Sequence, residues 1–335
     1  MMMIKPKEEI FQYYFYFVQE RMNIFWNKYD QKLPWTTDEI IQKHKFTNVY
    51  RAADRVSQYL IKNVIYQENS FSPEDTLLRI LVFKIFNKPE TWEYLEKKVG
   101  VITLKNFDLK KINNALLEQK NNRPIFNNAY MMTGTHSLYN HLEYKHEKWL
   151  DMVKKEMIGN SILKKILDSN SLSNVYDLLR GCSFIGDFLA YQYAIDMNYS
   201  PVIDFSEDSF VKAGIGAIRG IKKCFEPLGK KYNYEDAIIF TQENFSKYQD
   251  KFGYTEFKPL FGHAPALIDL QNCFCETDKY LRVKLPELQV DNKRIKQKYK
   301  ETNKPIDLFF PPKWNINNKI TSPCIQPSTK ESTLF

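Results

Sequence analysis

"GCSFIGDFLAYQYAIDMNYSPVIDFSEDSFV", Gly181 to Val211, is the stretch on which the fold turns. Leu178-Leu179-Arg180 just before it closes an apolar helix. A short turn then runs through Ile185 and Gly186, and Ala190 stands in a second apolar helix. A helix, a glycine turn and a second helix can present backbone N–H groups to a phosphate. After the second helix, which carries Asp196, the apolar approach Pro201-Val202-Ile203 leads to Asp204, with Glu207 and Asp208 close behind. The competing reading is ordinary helix packing with acids left at the surface.

Working outward, the apolar spacing predicts helices almost everywhere. Residues 8–30 read as an aromatic-rich helix, and "LPWTTDEI" stops it at Pro34 and restarts the chain with Thr36 or Thr37 as N-cap. "KFTNVYRAADRVSQYLIKNVI" reads as one long helix. Phe46, Val49, Ala52, Ala53, Val56, Tyr59 and Leu60 form its apolar arc, and Asn48, Arg51, Asp54, Arg55 and Gln58 its polar arc. Ser72-Pro73-Glu74 opens a further helix that closes near Pro89. Residues 108–120, 136–158, 160–168, 172–181, 207–226, 235–250 and 264–282 follow as helices, with neither a repeat nor sustained strand alternation. The fold class expected is all-α: one helical domain over 1–285, with room for two lobes meeting near 170, and a basic, partly ordered tail over 286–335.

The totals narrow the function. The 335 residues are 43% hydrophobic and 15% aromatic, enough for a substantial core, and 11 glycines are few for a turn-rich β protein. A net charge of +8 leans towards polyanions such as nucleic acid. Five cysteines with no C-x-x-C pair argue against a disulfide framework or a zinc site and fit a reducing cytoplasm. Neither a signal peptide nor a run of about 18 apolar residues stands out, so no membrane is expected. His136, His141 and His146 are spaced so that a helix would turn them to different faces, and no metal is expected. No G-x-x-x-x-G-K-[ST] occurs, which disfavours P-loop ATP chemistry, and no cofactor is expected.

Two more clusters could carry chemistry. The polar arc of 46–60 is either a solvated face or a fork of arginines that holds a phosphate, with Asp54 fixing one of them. "AGIGAIRGIKK" brings Gly214 and Gly216, which can take positive φ, before Arg219, Lys222 and Lys223; it reads as an anion nest or as close backbone packing. In "QNCFCETDKYLR", Cys273 and Cys275 read as small buried residues, while Glu276, Asp278 and Lys279 could line a site or form surface pairs, the surface being favoured for Asp278.

Taken together, "FYFVQERMNIFWNK", "LPWTTDEIIQKHKFTNVYRAADRVSQYLI", "RPIFNNAYMM", "FIGDFLAYQYAIDM", "FVKAGIGAIRGI" and "LQNCFCETDKYLR" occur in an order that resembles the α-glutamyl/putrescinyl thymine pyrophosphorylase family, the helical domain associated with 5-hydroxymethyluracil DNA kinases. The resemblance spans roughly residues 10–285. It departs at Ile215, where the family favours proline between the two glycines, and at Phe184, where a helix-hairpin-helix turn usually has its first glycine.

What the resemblance implies is an all-helical, DNA glycosylase-like fold acting on hypermodified pyrimidines in double-stranded phage DNA. The matching positions are Asn48, Arg51, Arg55, Asp196, Gly214, Gly216, Arg219, Glu276 and Lys279. Three activities are open. In base excision, Asp204 or Asp196 would stabilise positive charge on the sugar or activate water, leaving an abasic site, with Gly186 in the hairpin gripping a phosphate. This reading is favoured, in the setting of anti-phage defence. In transfer of an amino acid or polyamine onto activated hydroxymethyluracil, Asp196 or Glu276 would be the base, and Arg51, Arg55 and Arg219 would clamp the departing pyrophosphate. A non-catalytic binder of modified DNA would need only the arginines. The protein is expected to act as a monomer.

Overall fold

The computed structural model describes residues 4–67, 70–128, 132–288, 297–299, 305–322 and 324–325. The end of "RPIFNNAYMM" and much of the tail expected over 286–335 lie outside the described residues.

Among the described residues the chain forms α1 (Glu8–Tyr29), α2 (Glu39–Lys43), α3 (Arg55–Tyr59), α4 (Pro73–Phe86), α5 (Pro89–Val99), α6 (Leu109–Asn122), α7 (Lys145–Met152), α8 (Ile162–Leu167), α9 (Leu172–Arg180), α10 (Asp187–Asn198), α11 (Ile215–Cys224), α12 (Tyr234–Glu243), α13 (Phe245–Phe252) and α14 (Leu267–Lys284). Strands β1 (Ile306–Asp307) and β2 (Cys324–Ile325) form one short antiparallel pair. The fold is all-α.

Two compact units are built from this order. The first joins residues 1–58 to 211–335, and the second is the contiguous stretch 59–210. Residue 170, where the sequence left room for lobes to meet, falls just before α9, inside the second unit.

The first unit is organised by the aromatic rings of α1. Phe11 packs on Phe225, Tyr248 and Phe274, and the Tyr14 ring lies 4.3 Å from that of Phe274. The Tyr14 hydroxyl donates to the Leu270 carbonyl at 3.2 Å, so its one polar atom is satisfied inside the core. Asp38, not Thr36 or Thr37, caps α2: its Oδ1 accepts from the Ile41 N–H, and its Oδ2 accepts from the hydroxyls of Tyr16 and Tyr280. A threonine does contribute one step earlier, since Thr36 Oγ1 accepts from the Asp38 N–H. The described pieces of the tail pack into this unit. Leu308, Phe310 and Ile316 are buried, and Trp314 stacks on His263 at 4.1 Å.

The second unit is centred on α4 and α10. Residues Thr76–Phe86 and Leu189–Asn198 are buried almost without a break, because neither helix has a polar face to turn to water. Ser72 caps α4 as its sequence predicts, accepting from the Asp75 N–H. The cations that interrupt α4 are held inside. Arg79 donates to Glu96 at 2.7 Å and to the Ile102 carbonyl, and its guanidinium lies against Phe71 and Trp92. Lys84 pairs with Asp196 of α10.

Candidate functional site

The long helix expected over residues 46–60 does not form. Asn48 and Asp54 turn the backbone another way. The Asn48 N–H donates to Asp54 Oδ1 at 2.9 Å, and the Asn48 amide donates to the Ala53 carbonyl at 3.0 Å. Such local side-chain bonds compete with helix. The chain makes a 3₁₀ turn over Arg51–Ala53, enters α3 only at Arg55, and runs on as a π-helix over Leu60–Ile65. The polar arc is therefore folded inward, with Arg51 and Gln58 buried, and the solvated-face reading fails for these two.

A connected polar network results. Buried Arg21 of α1 donates to the Thr47 carbonyl at 3.0 Å and to Asn48 Oδ1 at 3.1 Å. The Thr47 N–H donates to Oε2 of buried Glu276, whose Oε1 receives Lys279 at 2.7 Å. The Arg51 N–H donates to Asp269 Oδ1 at 2.8 Å. Arg55 reaches the Pro305 carbonyl at 2.8 Å. Burial pushes the Asp54 carboxyl up to about 6, against the pull of the Asn48 N–H and of Arg21 and with some push from Glu276. It is thus poised to exchange a proton near neutral pH.

A pH dependence follows with a defined sign. The folded-state pKa of Asp54 is raised, so its contribution to stability is full below about pH 4 and is lost as pH rises through about 6. Asp54→Asn should therefore gain stability relative to the unmodified chain across that window. Urea midpoints at pH 4 and pH 7 measure it, and parallel midpoints at both would show an unperturbed carboxyl.

The glycine-basic turn adjoins this network through α14. Gly214 takes φ −72° and ψ 160° as the N-cap of α11, and Gly216 lies inside the helix, so neither uses the positive φ that a nest requires. What glycine supplies is closeness. A Cβ on Gly216 would stand 2.4 Å from Cys275 Sγ, and one on Gly220 2.1 Å from the Phe274 carbonyl oxygen. Expected cation positions diverge: Lys222 is exposed, while Lys223 is buried at 3.0 Å from Asp278, which its ion pairs with Lys223 and Arg282 hold inside rather than at the surface. Arg219 is half-buried and makes no hydrogen bond or ion pair among the described residues.

The remaining expected residues belong to the second unit. Asp196 is wholly buried and lies 3.3 Å from the Lys84 ammonium. Asp204 is exposed on the loop after α10, close enough to Tyr66 to help raise its pKa. The hairpin is present. Gly186 is the N-cap of α10, and Phe184 sits at φ +67°, in the left-handed region where glycine is usual. Its ring stacks on Trp149 at 5.1 Å, and the Ser183 N–H donates to Glu156 at 2.8 Å; these contacts hold the strained residue in place.

Asn48, Glu276 and Lys279 are joined in the first unit through Arg21 and the Thr47 backbone, and Arg51 lies close enough to act on Asp54, while Arg55 bonds the Pro305 carbonyl and Gly216 is in contact with Cys275 of α14. Sequence reasoning missed Arg21, Asp269 and Lys84. Arg21 and Lys84 each interrupt an apolar helix with a cation, which is the signal for a buried, partnered charge.

The comparisons with known proteins agree with an all-helical chain. A 5-hmdU DNA kinase of Bacillus phage SP10 is 26% identical over 322 residues, covering 88% of this chain and 48% of that protein. The chain thus spans about half the length of this curated relative. No solved structure matches it. No helix of the described residues is long and apolar enough to cross a membrane. Residues 8–290 match the family described as "5-hmdU DNA kinase, helical domain", and to that family the chain belongs.

Proposed function

We propose that the chain is a DNA-directed group-transfer enzyme. Its substrate is double-stranded DNA containing 5-hydroxymethyluracil whose hydroxymethyl oxygen already carries a phosphoryl or pyrophosphoryl group. A kinase acting on this base would create that leaving group, and the relative's name supports the pairing. The chain has no P-loop sequence of its own, so the chemistry assigned to it is the step that uses the activated base.

The observation that carries the reading is the network joining Glu276 and Asp54 to Lys279 and Arg21. An amine nitrogen attacks the exocyclic methylene carbon as the C–O bond to the leaving group breaks. The amine proton passes to a carboxylate, Asp54 or Glu276, and the departing phosphate or pyrophosphate keeps the electron pair. Lys279 and half-buried Arg219 offset its charge. Asp196 is not the base in this scheme, because its partner Lys84 is buried with it, whereas Lys279, the partner of Glu276, is 29% exposed. Arg51 orders the turn from within.

Base excision is the second reading, favoured by the Phe184–Gly186 hairpin and by the exposure of Asp204 after α10. One experiment separates the two. The full chain is incubated with duplex DNA bearing pyrophosphorylated hydroxymethyluracil and a panel of labelled amino acids and polyamines. Label entering DNA with matching release of pyrophosphate is expected. Alkali-labile breaks without label would establish excision instead, and neither product would remove both. On the same duplex, Arg219→Ala should reduce the slope of log affinity against log salt by about 1. An unchanged slope would take Arg219 out of the phosphate contact.

A further inference from the structure

The second unit holds a cavity of about 380 Å³ that none of the chemistry above uses. This volume suits a small molecule. Its described lining combines Phe126, Asn128, Tyr144 and His146 with Lys120 and Lys145. The Lys120 ammonium sits over the Tyr144 ring at 4.0 Å, and the Lys145 ammonium over the Phe126 ring at 4.1 Å. Among the described residues neither lysine forms an ion pair. Tyr144 and His146 stack at 5.6 Å and 16°, so His146 backs the Tyr144 ring. His146 is 1% exposed, and its Nε2 has no hydrogen-bond partner among the described residues. Burial lowers the imidazole to about 4, so it is neutral at pH 7, and it lowers Lys145 as well.

Lys145, half-buried and without an acid partner among the described residues, favours an anion, and exposed Lys120 stands across the same cavity. Flat aromatic walls call for a planar ring, and an unsatisfied buried imidazole nitrogen calls for a polar edge on that ring. The acids nearby are already engaged. Glu147 accepts from the Tyr144 N–H at 3.0 Å, and exposed Glu143 bonds the Tyr144 hydroxyl. We propose that this cavity binds a nucleoside 5′-phosphate: its phosphate draws the Lys120 and Lys145 ammoniums off the Tyr144 and Phe126 rings, and its base takes the ring faces they leave. The ligand can be a free nucleotide or one nucleotide of a strand, since both present the same ring and phosphate. The site shares no residue with the group-transfer network, so either proposal can fail alone.

The test is calorimetric titration of the full chain with thymidine 5′-monophosphate, with thymidine, and with a single-stranded octathymidylate. Saturable binding of the monophosphate is expected, at least about tenfold tighter than thymidine. Lys145→Gln and Lys120→Gln should each weaken it about tenfold, with circular dichroism confirming an unchanged fold. His146→Gln should lower affinity for the monophosphate while leaving the preference over thymidine intact. Lys145-dependent binding of the monophosphate alone assigns the site to free nucleotide; the same dependence with the octamer extends it to a strand. Absence of saturable binding, or binding indifferent to Lys120 and Lys145 in both arms, overturns the proposal.

Discussion

Asp196→Ala should destabilise the protein by about 3–5 kcal/mol, because it strands a buried ammonium. Lys84 and Asp196 have side chains 6% and 0% exposed, with nitrogen and oxygen 3.3 Å apart. The lysine also donates to Asn87 Oδ1 at 2.8 Å, and Asn87 ends α4 in the left-handed conformation. Removing the carboxylate leaves Lys84 facing an amide dipole in place of a counter-charge. Lys84→Met/Asp196→Leu discards both charges together and should recover most of the loss, since the desolvation cost disappears with the attraction. Urea unfolding of the three variants, compared as a double-mutant cycle, measures this. A double variant as unstable as the sum of the singles would show that the two groups are not coupled. The result also bears on function. Asp196 stands where a base could be sought by sequence, yet its substitution should remove activity only as far as it removes folded protein.

The second large effect is expected at Gly220. An alanine there places its Cβ 2.1 Å from the Phe274 carbonyl oxygen, an atom of the α14 backbone that no rotamer change can move. The helices must separate, and the expected cost is at or above the upper end of ~1–3 kcal/mol. Gly216→Ala provides the control. Its Cβ meets Cys275 Sγ at 2.4 Å, and Cys275→Ala in the same chain would leave the β-carbon of residue 275, at 3.2 Å, as the nearest of the atoms it meets there. Thermal unfolding should therefore show Gly216→Ala largely repaired by Cys275→Ala, with Gly220→Ala not repaired by it. Equal behaviour of the two glycines would mean that α11 and α14 are not in the close contact described. Since α14 carries Glu276 and Lys279, Gly220→Ala should also lower the yield of labelled DNA per folded molecule.

Much of this architecture is legible in the residues. Glu8–Tyr29 follows the apolar spacing read for 8–30, and Ser72-Pro73-Glu74 marks the start of α4 through a cap whose chemistry is local. Where the reading fails, a side chain has outcompeted the backbone pattern. At 46–54 the helical spacing is real, but Asn48 and Asp54 bond the nearby backbone and Glu276 takes the Thr47 N–H from 229 residues away. At 207–214 the backbone is not helical, and α11 begins only at Ile215. The glycines of "GIGAIRG" signalled either anion binding or close packing. The deciding fact, a carbonyl on α14, lies more than fifty residues along the chain. The pairing of Lys84 with Asp196 was equally out of reach, although a lone lysine in "LLRILVFKIF" announces that some partner must exist.

The route of the chain, out of its first compact unit at residue 58 and back at 211, sets an order for biosynthesis. All residues of the inserted unit have been synthesised once residue 210 is made. The rings of α1 must wait for Phe274, roughly 240 residues after α1 is finished, or ~10–50 s at typical elongation rates. During that interval a row of phenylalanines and tyrosines stands uncovered in the nascent protein, and this is the segment that a chaperone would have to shield.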